Sequence, residues 1–188
     1  MEKYLRKGKG NVSGEKREIL RLLSDYAKTL TLLEQYDKEK VAIRRKGKGK
    51  FVLTYDGARR VIAEVKKELT EKKEAGTLFG QEYEERLQGI VGSVYQTFGG
   101  KHLYPSLEEK AAHLLYFIIK DHPFADGNKR IGSFLFVYFL DRNNYLHKKS
   151  EEKKINDNAL TALALLIAVS DPKEKEKMIN IVTNLLSR

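Results

Sequence analysis

Two stretches of this chain are apolar on nearly every side, and a nine-residue polar segment joins them. The first carries Leu107, Ala111, Ala112, Leu114, Leu115, Ile118 and Ile119; the second runs from Ile131 to Leu140. A helix without a polar face has nothing to offer water, so both belong in the centre of a core. Neither spans a bilayer: the run Ile131–Leu140 contains Gly132 and Ser133 and falls well short of the ~20 residues required. Two central helices on a short connection imply an all-α domain whose other elements pack around the pair.

The flanking signals agree. Pro105-Ser106-Leu107-Glu108-Glu109 reads as a helix start in which Ser106 and Glu109 form a capping box. The helix ends at Asp121-His122, because Pro123 pushes His122 out of the α region. Arg130 leads the second central helix, and Asn143-Asn144 closes it near Arg142. Ala58, Val61, Ile62, Val65 and Leu69 share one face of a helix opened by Tyr55-Asp56 and stopped by Gly76. Tyr83, Leu87, Ile90, Val91 and Val94 predict another over about Gln81–Tyr95. Gly99-Gly100 within Gln96–Tyr104 predicts a turn or small hairpin. A helix is expected over about Asp157–Ser170, and Asp171-Pro172-Lys173-Glu174 starts the last one.

Charge divides the chain. Residues 1–50 hold 15 Lys and Arg against 7 Asp and Glu, while residues 51–188 hold 21 against 19. We therefore expect residues 1–50 to be a basic N-terminal extension with a helix from Ser13 to about Tyr36, striped by Ile19, Leu23, Tyr26, Leu30 and Leu33. The linker Arg44–Lys50 would join it to a domain over 51–188. Solvation explains the charge run best; nucleic acid is not expected as a partner, because no recognition motif accompanies it. The absence of cysteine excludes a disulfide framework, a zinc–cysteine site and a thiol nucleophile. Lys3, Arg6, Lys7 and Lys9 precede no apolar signal region, so a cytoplasmic protein is expected, without a membrane anchor. His102, His113 and His147 share no metal-ligand spacing and are expected at the surface or in the core.

The chemistry concentrates in His122-Pro123-Phe124-Ala125-Asp126-Gly127-Asn128-Lys129-Arg130. Gly127 and Asn128 stand at a helix N-terminus, where unpaired N–H groups and the helix dipole suit an anion such as phosphate. Lys129 and Arg130 add positive charge, and Arg can hold two oxygens at once. Asp126 repels an anion unless a cation lies between them, which points to Mg²⁺. His122, at the far end, can act as general base toward an incoming hydroxyl. Together these groups spell phosphoryl or nucleotidyl transfer. The plainer alternative is that His122 caps one helix while Asp126 and Asn128 cap the next.

This segment resembles the signature loop of the Fic/Doc family, HPFx[D/E]GN[G/K]R, and fits it at every position. The stretch from Gln96 to His113 looks like the bacterial subgroup that includes the Fic-like portion of RhuM-type proteins. The likeness covers about Tyr55–Leu186. It implies a Fic-fold helical bundle with a short β-hairpin flap, and transfer of AMP from ATP to a Ser, Thr or Tyr hydroxyl of a target protein. By it, His122 is the base, Asp126 binds Mg²⁺, Gly127 and Asn128 form the anion hole, and Arg130 holds a terminal phosphate beside Lys129. By the same likeness, Phe124 would point inward and anchor the loop, and Gln96, Thr97, Phe98, Gly99, Gly100 and Lys101 would form the flap along which the target lies.

Two departures narrow the expectation. Lys129 stands where many AMP-transferring members have Gly, and Lys there is also seen in Doc, which transfers phosphate. That makes a protein kinase the alternative, and a non-enzymatic interaction module the third reading. Ser133 stands where many members carry a second Arg, the partner of an inhibitory Glu in a pattern [S/T]xxxE[G/N]. Thr70–Ala75 and Ser170–Lys175 come nearest to that pattern but lack its last residue, so inhibition from within by this route is not expected. An inhibitory partner protein and a homo-oligomer remain open.

Overall fold

The computed structural model describes residues 49–187. The expected N-terminal extension lies outside them apart from Gly49 and Lys50. Among the described residues are six α-helices and one two-stranded hairpin: α1 Tyr55–Glu71, α2 Arg86–Tyr95, β1 Thr97–Phe98, β2 Lys101–His102, α3 Leu107–Asp121, α4 Asn128–Arg142, α5 Asp157–Val169 and α6 Lys175–Leu186, the last preceded by a 3₁₀ turn at Pro172–Glu174. No helix among them is long and apolar enough to cross a membrane.

The all-α expectation holds, and α3 is its axis. It packs against α2, α4, α5 and α6, while α4 packs against α1, α3 and α5. Ala111, Ala112, Leu115, Ile118 and Ile119 of α3 and Leu135, Phe136 and Leu140 of α4 are fully buried. Gly132 lets the two axes close: a Cβ there would stand 3.2 Å from Ile118 Cγ2. The capping boxes Ser106/Glu109 and Asp171/Glu174 both form. The hairpin pairs Thr97 with His102 and Phe98 with Lys101. Gly99 and Gly100 both take positive φ, as the turn of a two-residue hairpin requires.

Three boundaries differ from the sequence reading, each for a physical reason. Helix α1 ends before Gly76: Lys73 adopts φ 60° and donates its N–H to Thr70 O, while the Glu74 N–H reaches Leu69 O. A lysine therefore fills the left-handed position usually given to glycine. Helix α2 begins at Arg86, because Glu84 and Glu85 both have positive φ and residues 79–83 pair with a distant segment instead of coiling. Helix α4 begins two residues early, at Asn128.

The first turn of α3 is also not what an apolar helix suggests. Glu108 is 0% exposed and accepts a hydrogen bond from the Tyr145 hydroxyl. Burial, and then Glu108, push that hydroxyl's pKa up, so it stays protonated and donates. Lys154 Nζ lies 3.3 Å from the Tyr145 ring centroid and donates to Leu186 O, tying the end of α6 to the same brace.

His113, in the middle of α3, is buried and stacks on Tyr104 with ring centroids 3.5 Å apart. Its Nδ1 lies 2.8 Å from Glu109 O. A carbonyl only accepts, so Nδ1 carries the proton. Burial lowers the His113 pKa to about 4; the Glu109 hydrogen bond raises it and nearby Lys175 lowers it further. The folded state thus binds this proton less readily than the unfolded chain, so stability is whole above the unfolded value near 6.5 and falls as pH drops toward 4. The loss attributable to this residue should be on the order of 3 kcal/mol. Urea denaturation of wild type and His113→Phe from pH 7 to 4 checks this: the variant should show a flatter profile, and parallel profiles would refute it.

Candidate active site

The loop Pro123–Gly127 does not stand alone. Residues 79–83 run beside it as a strap, with main-chain bonds Gly80 N to Asp126 O (3.1 Å), Ala125 N to Gln81 O (2.9 Å) and Tyr83 N to Pro123 O (2.9 Å). Isolated bridges pair Phe79 with Asp126 and Glu82 with Phe124. Asn128 closes the loop from inside: its Oδ1 accepts from Phe124 N (3.0 Å) and its Nδ2 donates to Phe124 O (2.8 Å). The Phe124 ring is 2% exposed, set in the core cluster. These bonds fix the loop's path.

His122 is the C-cap of α3, at φ 45° and ψ 62°. That left-handed backbone is unusual for a residue with a Cβ. The side chain is exposed, and its ring makes no hydrogen bond among the described residues. Beside it, burial pushes the Asp121 carboxyl pKa up, and Lys175 and His122 pull it back. At the other end, Gly127 is the N-cap of α4 at φ 89° and ψ 8°, with no side-chain cap. Asp126 and Asn128 therefore do not cap α4. The first helical bond is Ile131 N to Gly127 O (2.8 Å), which leaves the N–H groups of Asn128, Lys129 and Arg130 open, as at any uncapped helix start.

His122, Ala125, Asp126, Gly127, Asn128, Lys129 and Arg130 line one cavity of about 210 Å³. The loop residues singled out for chemistry in the sequence are therefore together in space. Arg130 Nη2 lies 3.3 Å from Asp126 Oδ2 in a half-exposed ion pair, and Nη1 donates to Glu74 O at 2.8 Å. Its guanidinium carbon sits 4.6 Å above the Phe79 ring centroid. None of the flap residues Gln96–Lys101 lines the cavity; all are exposed, Phe98 to 86%.

A second, larger cavity of about 610 Å³ adjoins the first and shares Lys129 and Arg130 with it. Its walls come from Val65, Leu69, Phe134, Val137, Leu160 and Ala164 of α1, α4 and α5, and Phe134 is 47% exposed. Ser133 also lines it, so position 133 contributes no guanidinium to its wall. Sequence reasoning missed this groove and the strap: the groove forms where α1 meets the later pair α4 and α5, and the strap was absorbed into a helical periodicity. Among the described residues there is no group of three or more His, Cys, Asp or Glu able to hold a metal ion. Asp126 is the carboxylate among the residues lining the smaller cavity, together with His122.

Residues 52–140 match the model of the Fic/DOC family. No curated protein and no solved structure matches the chain.

Proposed function

We propose that this chain, which over residues 52–140 belongs to the Fic/DOC family, moves AMP from ATP to a Ser, Thr or Tyr hydroxyl of a target protein. The observation that carries this reading is the single cavity shared by His122, Asp126 and the open N-terminus of α4. His122 takes the hydroxyl proton. The hydroxyl oxygen bonds to the α-phosphorus, the bond from that phosphorus to the bridging oxygen breaks, and pyrophosphate leaves. The open N–H groups of Asn128, Lys129 and Arg130 meet the charge on the non-bridging oxygens. Arg130, with Lys129, holds the terminal phosphates. The groove behind them, of a size usual for small-molecule sites, takes the base and sugar. The exposed hairpin offers its edge to the target segment as an added strand.

One carboxylate beside phosphates suits Mg²⁺, which prefers phosphate oxygens and water to an all-protein cage. Asp126 would hold the ion, whose charge offsets that of the phosphates. Lys129 favours a second reading in which the γ-phosphoryl group moves and ADP leaves. Incubation with ATP, Mg²⁺ and a cell lysate, followed by mass spectrometry of the modified proteins, separates the readings. AMP transfer adds about 329 Da and phosphoryl transfer about 80 Da to the acceptor. An added mass that depends on His122 and Mg²⁺ is the expected result. No added mass on any protein would leave only an interaction module.

A further inference from the structure

The transferase reading leaves the strap unused, yet the strap touches both halves of the anion cavity. Phe79 is 0% exposed and lies at the strap's start. One edge of its ring is pressed against Gly127: a Cβ on Gly127 would fall 2.6 Å from Phe79 Cδ2. Arg130 lies over the face of the same ring, 4.6 Å from its centroid. Glu74, just upstream, accepts from Arg130 Nη1 at 2.8 Å. Among the described residues the guanidinium therefore meets a ring face, a neutral carbonyl and the Asp126 carboxylate.

These neighbours differ in what a ligand would do to them. The Asp126 pair is half exposed and only 3.3 Å long, and such pairs contribute little net stability. Asp126 is also the group that would turn to a cation. The ring face and the Glu74 carbonyl carry no net charge to be neutralised, and the ring is locked by burial. A guanidinium stacked on a ring keeps its plane and its outward N–H groups while its ionic partner changes.

We propose that Phe79 is a positioning residue for the polyphosphate end of the nucleotide: its ring face holds Arg130 in place as Asp126 changes partner. This rests on the transferase reading above. It predicts a ligand-selective effect, because the Arg130 guanidinium serves the terminal phosphates, which AMP lacks, while base and sugar take the apolar walls of the groove that Arg130 only borders. Phe79→Leu keeps apolar volume but removes the ring face. ATP affinity should fall about 2–30-fold, the range of a cation–π contact from exposed to desolvated, while AMP affinity stays unchanged.

The test is calorimetric titration of ATP and of AMP, each with Mg²⁺, into wild type, Phe79→Leu, Phe79→Met, Arg130→Ala and the Phe79→Leu/Arg130→Ala double variant. The expected result is an ATP-only loss in both Phe79 variants that vanishes in the Arg130→Ala background, since the ring acts through that side chain. Equal losses for ATP and AMP, or an undiminished loss in the Arg130→Ala background, overturn the proposal. So does the absence of a wild-type-like thermal transition in both Phe79 variants, which would make the ring a structural support only. Failure of wild type to bind either nucleotide overturns the transferase reading and this role with it; wild-type binding without the ATP-selective loss overturns this role alone.

Discussion

His122→Ala is expected to lose transfer activity by ~10²–10⁴-fold, the usual contribution of a positioned general base, while retaining the wild-type unfolding transition. The expectation of an intact fold comes from the side chain's surroundings. The His122 ring is exposed and makes no hydrogen bond among the described residues, so truncation removes no structural bond. Its backbone is left-handed, where Ala is no worse off than most residues with a Cβ. Turnover and thermal melting of the two proteins check both halves. Wild-type turnover would exclude His122 as base, and loss of the melting transition would assign it to the end of α3 instead.

Gly127→Ala should be costly in a different way. At φ 89° an L-residue is strained, by roughly 1–2 kcal/mol. The new methyl group would also stand 2.6 Å from Phe79 Cδ2, and Phe79 is wholly enclosed. Overpacking of this kind typically costs about 1–3 kcal/mol. A destabilisation on the order of 2–5 kcal/mol is therefore expected in urea denaturation, together with weaker ATP binding, because the ring can yield only by moving from beneath Arg130. A change within about 0.5 kcal/mol, typical of surface substitutions, would show that the ring is free to shift and that Gly127 is not held in place by it.

Much of the scaffold was legible because its signals are local. Ser106 and Glu109, Asp171 and Glu174, and Gly99 and Gly100 act within four residues of one another, and each structure formed where it was read. The burial of α3 and α4 followed from their lack of a polar face. Tyr83, Leu87 and Ile90 show where the same reasoning misleads. Their spacing continues a helix back to Gln81, but Gln81 O and the Tyr83 N–H bond to Ala125 and Pro123, some forty residues away. A periodicity contains no information about such a partner. Glu108 is similar: a carboxylate in a first helical turn is ordinary at the surface, and the Tyr145 hydroxyl that donates to it in the core lies far along the chain.

The site divides along the same line. The sequence by itself determined which groups lie within one short loop: His122, Asp126, Gly127, Asn128, Lys129 and Arg130. A connection between two buried helices leaves them no room to separate, so they share one cavity. Only the tertiary structure decided what surrounds that loop. The strap that fixes its path, the Phe79 ring between Gly127 and Arg130, and the groove walled by α1, α4 and α5 all bring together residues distant in the chain. Caps and periodicity act over one or two turns, whereas these contacts arise from packing across the core, where many sequences could satisfy the same burial.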